Sequence, residues 1–173
     1  VLKVKKAKRV SVILMNPQNG EIYAMVNSPE FSLTKPYELV DQSKNLSEKQ
    51  KNEELNKMWR NGCVSDTYEP GSTFKTASIM VALEDGKITP ETEVDTGNGI
   101  MMMYGSKMRD HNWHRGGYGK LTVTEILGVS SNVGTSYIID HFYGSNPQKF
   151  VDGLKRMSID QPLHLQIAGE GKP

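Results

Sequence analysis

The apolar positions along this chain change period several times, and each change marks an element. Val10–Met15 is a short run rich in β-branched residues; Asn16-Pro17-Gln18-Asn19-Gly20 interrupts it, and Ile22, Ala24 and Val26 then alternate with their neighbours. Two strands joined by a loop ending in Asn-Gly predict a β-hairpin. The first strand is apolar on both faces, the pattern of a central, covered strand. Pro29, Pro36 and mixed polar residues predict a loop over 28–45. Residues 46–60 permit a helix, but Leu46, Leu55, Met58 and Trp59 make a thin stripe, which predicts a surface helix or a mobile excursion. Pro70-Gly71 then leads into a run from Ser72 to Asp85 in which Phe74, Ala77, Ile79, Met80, Val81 and Leu83 are too many for one narrow face. That pattern predicts a largely buried helix with Gly86 as its C-terminal cap.

Residues 87–120 are glycine-rich with polar and aromatic residues, and predict loops and short strands. Helices are expected over 121–129 and 133–142, the second with Tyr137, Ile138 and Phe142 on one side. Asn146-Pro147 supplies an N-cap and a proline at the first helical position of another, which carries Phe150, Val151, Leu154 and Met157 at helical spacing. A hairpin followed by helices favours an α+β arrangement. Opening strands occupy 1–27, a loop and surface helix 28–71, and a helical region 72–173.

A chain of 173 residues makes one domain of ordinary size. With 36% hydrophobic and 24% charged residues, a packed core is expected rather than disorder. Lys plus Arg total 21 against 20 Asp plus Glu, which gives no electrostatic reason for a nucleic-acid partner. The basic run Lys3 to Arg9 reads as a solvated chain end. The single cysteine, Cys63, excludes an intrachain disulfide. No apolar run is long enough to span a bilayer and no signal peptide is visible. An abrupt basic start and a Gly-Glu-Gly-Lys-Pro end predict a chain cut at both ends, with any membrane anchor outside it.

The candidate chemistry lies where the buried helix begins. In Ser72-Thr73-Phe74-Lys75 the serine and lysine are one turn apart on one face if the helix starts near Ser72. A serine hydroxyl is a weak nucleophile until a base takes its proton. A partly desolvated lysine holds its proton less tightly and can act as that base. The helix N-terminus adds a positive end and backbone N–H groups able to hold an oxyanion. The spacing alone is weak evidence: Ser32-Leu33-Thr34-Lys35 matches as well, although Pro36 pushes Lys35 out of helical geometry. A second element, Ser130-Ser131-Asn132, falls between two expected helices. Ser130 offers a hydroxyl that relays a proton to a leaving group, and Asn132 an amide able to hold Lys75 and a substrate carbonyl. Helix capping explains Ser and Asn at such a place equally well, and Ser43-Lys44-Asn45 repeats the pattern in a polar loop.

Ser-x-x-Lys, Ser-x-Asn and Lys-Thr-Gly together form the signature of serine β-lactamases and penicillin-binding proteins. The first two occur here in order, and the third does not occur. Tyr68-Glu69-Pro70-Gly71-Ser72-Thr73-Phe74-Lys75 resembles the active-site segment of class B penicillin-binding proteins. Leu121-Thr122-Val123-Thr124-Glu125-Ile126-Leu127 with Ser130-Ser131-Asn132-Val133-Gly134 resembles their second motif and the helix before it. Asp95-Thr96-Gly97, Arg109-Asp110-His111 and the 10–27 hairpin fit the same family, so the likeness covers nearly the whole chain. Among subgroups it is most similar to division-specific septal transpeptidases, then to sporulation-specific relatives.

The resemblance implies the N-terminal part of a transpeptidase domain, with the later sheet strands and the third motif beyond Pro173. It implies a DD-transpeptidase acting on peptidoglycan stem peptides, acylated by β-lactams, with no cofactor, working beside a division or elongation glycosyltransferase on the outer face of the cell membrane. Ser72 and Lys75 carry over as nucleophile and base, and Ser130 and Asn132 as the second-motif hydroxyl and amide. The fragment by itself is expected to be inactive. A serine β-lactamase, or a β-lactam sensor or scaffold, are the competing readings.

Other residues have simpler roles. His111 and His114, with Cys63 and Asp110 as conceivable co-ligands, would suggest zinc, but a glycine-rich loop without a second cysteine favours polar loop histidines, so no metal is expected. Met101-Met102-Met103 and Tyr104 are expected to pack, Trp113 to anchor a loop, Glu125 to face solvent, and Cys63 to be unreactive.

Overall fold

The computed structural model describes residues 2–40 and 45–171. They form two compact units: one runs to Tyr68 and includes the segment from Pro162, and the other is Glu69–Gln161.

The first unit opens with a helical turn, α1 (Leu2–Lys5), and the expected hairpin of β1 (Val10–Met15) and β2 (Ile22–Ser28), paired antiparallel from Val10–Ser28 to Met15–Ile22. Its loop closes on Asn16, whose carbonyl accepts the Gly20 N–H at 2.8 Å, with Gly20 at the positive φ of 75° that glycine adopts without strain. The covered central strand is not what forms. Among the described residues β1 pairs with β2 alone, and Val12 and Leu14 remain 55% and 58% exposed. Apolarity on both faces records what a strand can bury, and a two-stranded sheet supplies no layer to bury it.

α2 (Glu48–Trp59) is the surface helix, started by a capping box in which Ser47 and Gln50 satisfy each other's backbone N–H groups; of its side chains Leu55 is buried. Trp59 donates its indole N–H to the Pro36 carbonyl at 2.8 Å and meets Tyr37 edge-on, anchoring the loop before it. A short turn, α3 (Gly62–Ser65), follows; the Cys63 thiol there points at the Val26 carbonyl at 3.7 Å. Asp66 is ion-paired with both Arg9 and Arg60.

The second unit holds the core. α4 (Phe74–Glu84) ends as predicted at Gly86: the Lys87 N–H reaches the Ala82 carbonyl at 2.9 Å and the Gly86 N–H that of Leu83 at 3.0 Å, while Gly86 takes φ 62°. Residues 87–120 contain β3 (Glu93–Asp95) and the hairpin β4 (Ile100–Met103) and β5 (Ser106–Arg109). That hairpin turns at Tyr104-Gly105, both at positive φ. Met102 points to solvent rather than packing, while Met101 and Met103 are half-buried. β6 (Lys120–Thr122) pairs with β3, so Leu121 and Thr122 belong to a strand and the helix expected from 121 begins later, as α5 (Val123–Gly128). α6 (Asn132–Tyr143) and α7 (Pro147–Arg156) complete the unit.

Ile79, Val81 and Ala82 of α4, Val123 and Ile126 of α5, and Ile138 and Tyr143 of α6 form one buried cluster with Ile88, Val94 and Leu121. Ile138 faces inward as expected, whereas Tyr137 is exposed and stacks on His141. α7 packs through Phe150, Leu154 and Met157, while Val151 stays outside. At Gly153 a Cβ would lie 2.3 Å from Val81, so glycine lets the two helices meet. Among the described residues no helix is long and apolar enough to cross a membrane.

Candidate active site

The candidate nucleophile lies at the entrance to the core helix. Ser72 sits in a 3₁₀ turn, Gly71–Thr73, that runs straight into α4; the sequence places the helix start here, and the structure makes its first turn tighter. Gly71 enters at φ 62°, and Thr73 donates its hydroxyl to the Pro70 carbonyl at 2.7 Å. Ser72 is exposed, and its hydroxyl has no hydrogen-bond partner among the described residues.

Lys75, half-buried in the first turn of α4, reaches across to the second motif. Its Nζ donates to the Ser130 carbonyl at 2.6 Å and to the Ser130 Oγ at 3.0 Å. Burial pulls the proton affinity of Lys75 below the ordinary lysine value, and the negative charge of Asp110 partly restores it. A lysine held in this way gives up its proton more readily than one in water, the direction a base needs.

Ser130 lies in the link between α5 and α6. Thr122 and Glu125 start α5 with a capping box, and the Ser130 and Ser131 N–H groups close its end on the Leu127 and Ile126 carbonyls at 3.1 and 2.9 Å. This geometry puts Ser130 at φ 56°, a left-handed conformation that glycine usually takes at a helix end. Ser131 then caps α6, its Oγ accepting the Gly134 N–H at 2.9 Å.

Lys75 and Ser130 are therefore brought together, and Ser72 lies in the turn that leads into the helix of Lys75 without bonding to either. Asn132 does not bind Lys75: its Nδ2 donates to the Arg109 carbonyl at 2.7 Å, because it faces the end of β5. Sequence reasoning missed Asp110 and Ser131. Asp110 accepts from Ser131 Oγ at 2.9 and 3.0 Å and from the Val133 N–H at 2.9 Å. The signals were Ser131 itself, a serine directly before a helical pattern, and the fit of Arg109-Asp110-His111 to the family resembled, which marks Asp110 without giving it a role.

The other candidates have local roles. Lys35 pairs with the exposed Glu38 rather than Ser32, and Ser43 and Lys44 lie outside the described residues. His111 is bonded to the Tyr118 hydroxyl at 3.1 Å. Trp113, partly exposed, carries the Arg109 guanidinium over its ring at 5.0 Å. Glu125, at the surface, is occupied by the Thr122 N–H and hydroxyl, which also lower its proton affinity. No group of three or more His, Cys, Asp or Glu able to hold a metal occurs among the described residues.

This arrangement can be set beside known proteins. The family model described as "Penicillin binding protein transpeptidase domain" matches residues 10–172. The chain is 32% identical over 160 residues to "Peptidoglycan D,D-transpeptidase FtsI" of Buchnera aphidicola subsp. Schizaphis graminum, covering 92% of this chain and 24% of that protein. It is 31% identical to "Stage V sporulation protein D" of Bacillus subtilis, over 92% of this chain and 22% of the relative. The chain thus spans about a quarter of the length of these relatives. In fold it is similar to the transpeptidase domain of penicillin-binding protein 3 from Burkholderia pseudomallei, with a TM-score of 0.70 at 24% identity over 98% of this chain and 40% of that one.

Proposed function

The chain belongs to the penicillin-binding protein transpeptidase family, and from that premise we propose that the intact protein is a serine-type D-Ala-D-Ala transpeptidase of the cell wall. The observation that carries this reading is the pair of bonds from Lys75 Nζ to Ser130, which joins the two motifs from positions 55 residues apart. Ser72 Oγ attacks the carbonyl of the penultimate D-alanine of a stem peptide as Lys75 removes its proton. The tetrahedral oxyanion is held by backbone N–H groups at the start of α4. Its collapse breaks the peptide bond, and the Ser130 hydroxyl passes the proton from Lys75 to the departing D-alanine nitrogen. Asn132 orients the bound peptide through the part of its amide that Arg109 leaves free. An amine of a neighbouring stem peptide then attacks the acyl-enzyme, restoring Ser72 and forming the cross-link.

β-Lactams acylate Ser72 by the same route. A β-lactamase reading has less support, because Glu125, the carboxylate nearest the second motif in sequence, is taken up in the α5 cap rather than free to activate water. Cell division is the favoured setting, in partnership with a glycosyltransferase on the extracytoplasmic face of the membrane, where an anchor outside these residues would hold the protein. Without a Lys-Thr-Gly element, residues 1–173 alone should label poorly.

The test is covalent labelling with a fluorescent penicillin. The intact protein should label stoichiometrically and Ser72→Ala should abolish the signal. An unlabelled wild type, or a labelled Ser72→Ala, would overturn the reading.

A further inference from the structure

Asp110 is the only charged side chain among the buried described residues, with 1% of its surface exposed, and no step of the proposed reaction uses it. A buried carboxylate is costly unless its oxygens are satisfied and its charge is balanced. Its oxygens accept from Ser131 Oγ and the Val133 N–H. Its charge lies at the positive end of α6 and acts on Lys75. Next to it, the Arg109 carbonyl holds Asn132. Two consecutive residues at the end of β5 thus grip Ser131, Asn132 and Val133 in turn.

Ser130 is what this grip controls. Its left-handed backbone is unfavourable for a residue with a Cβ, and it persists only if the chain is fixed on both sides. α5 fixes the N-terminal side, through the Ser130 and Ser131 N–H groups. Asp110 fixes the other, through Ser131 and Val133. Both Ser130 atoms that face Lys75 depend on that backbone.

We propose that Asp110 is a positioning residue of the reactive centre: it clamps the start of α6 so that Ser130 stays turned against Lys75, and it is the anion shared by that helix end and the lysine. The proposal rests on the transpeptidase reading above. On α6, whose start binds Asp110, Asp140 accepts from the Tyr104 hydroxyl and His141 stacks on Tyr137, and on β5 Lys107 is exposed. On β5 and the following turn, Arg109 lies over Trp113, His111 is bonded to Tyr118, His114 meets Trp113 edge-on, and Arg115 is exposed. On α5, Glu125 is held by Thr122. Lys75 responds to burial and to Asp110.

Removing the charge while keeping the shape separates clamp from scaffold. In the intact protein, the rate of Ser72 acylation by a fluorescent penicillin is followed across pH for wild type, Asp110→Asn and Ser131→Ala. Asp110→Asn should slow acylation about 10- to 100-fold at its optimum, as misplacement of a reacting group does. It should also move the acid limb of the profile to lower pH, because Lys75 loses the anion that favours its ammonium form. Ser131→Ala should slow acylation with the limb unmoved, since the charge remains. A rate within about twofold of wild type, or a loss with an unshifted limb in Asp110→Asn, would overturn the proposal. Should Asp110→Asn fail to fold, an undiminished rate in Ser131→Ala overturns it instead. A wild type that does not label on Ser72 defeats the functional reading and not this one alone.

Discussion

Two apolar segments of this chain meet opposite fates. Val10–Met15 and Phe74–Glu84 are both too hydrophobic for a surface stripe, yet β1 lies open on a two-stranded sheet while α4 sits at the middle of a cluster drawn from three helices and the β3–β6 ladder. The difference is in what faces them. α4 meets Ile126, Ile138 and Tyr143, and α7 comes close enough at Gly153 to touch Val81. β1 has one neighbouring strand and, around it, polar fixings such as Cys63 and Asn61. Hydrophobicity is a capacity of a segment; burial is a property of the pair it forms.

The largest effect expected from this contrast is in the α4–α6 core. Ile138→Ala should destabilise the protein by about 2–5 kcal/mol, the usual cost of a cavity at a fully buried site, read as a lower urea midpoint. A cost under about 1 kcal/mol would mean that this core is loose and the contrast false.

An intermediate effect is expected where the core closes on Asp85. Tyr143 donates its hydroxyl to Asp85 Oδ2 at 2.9 Å, and Arg156 reaches Oδ1 at 2.5 Å. Tyr143→Phe should cost about 1 kcal/mol at neutral pH, the worth of one buried hydrogen bond. Burial first, then the Asp85 hydrogen bond and charge, push the Tyr143 hydroxyl up to about 12, with Arg156 opposing. The folded chain therefore keeps a proton that the unfolded chain gives up. The stabilisation is complete below the ordinary tyrosine value of 10 and is lost as pH rises from 10 through about 12. Melting temperatures from pH 8 to 12 should fall more steeply for wild type than for Tyr143→Phe; parallel curves would contradict this.

The smallest effect belongs to the hairpin. Ile13→Thr should change stability by no more than about 0.5 kcal/mol, as a surface substitution does. If it costs as much as Ile138→Ala in the same urea titration, something covers β1 and the comparison breaks.

Local chemistry was legible in the sequence wherever a signal and its effect lie within a few residues. The Asn-Gly hairpin, the Gly86 helix end and the Asn146-Pro147 start of α7 are of this kind, since turn and cap energies depend on adjacent backbone and side chains. The capping boxes at Ser47 and Thr122 could have been read the same way. The helix expected from Leu121 begins two residues late because β3 captures Leu121 and Thr122 as a strand, through Val94 and Glu93, 27 and 29 residues away.

Tertiary structure alone decided that Lys75 meets Ser130 rather than Asn132, that Asp110 is buried beneath Ser131, and that β1 stays uncovered among the described residues. Each depends on which distant segments are packed together, and a local pattern carries no record of its partner.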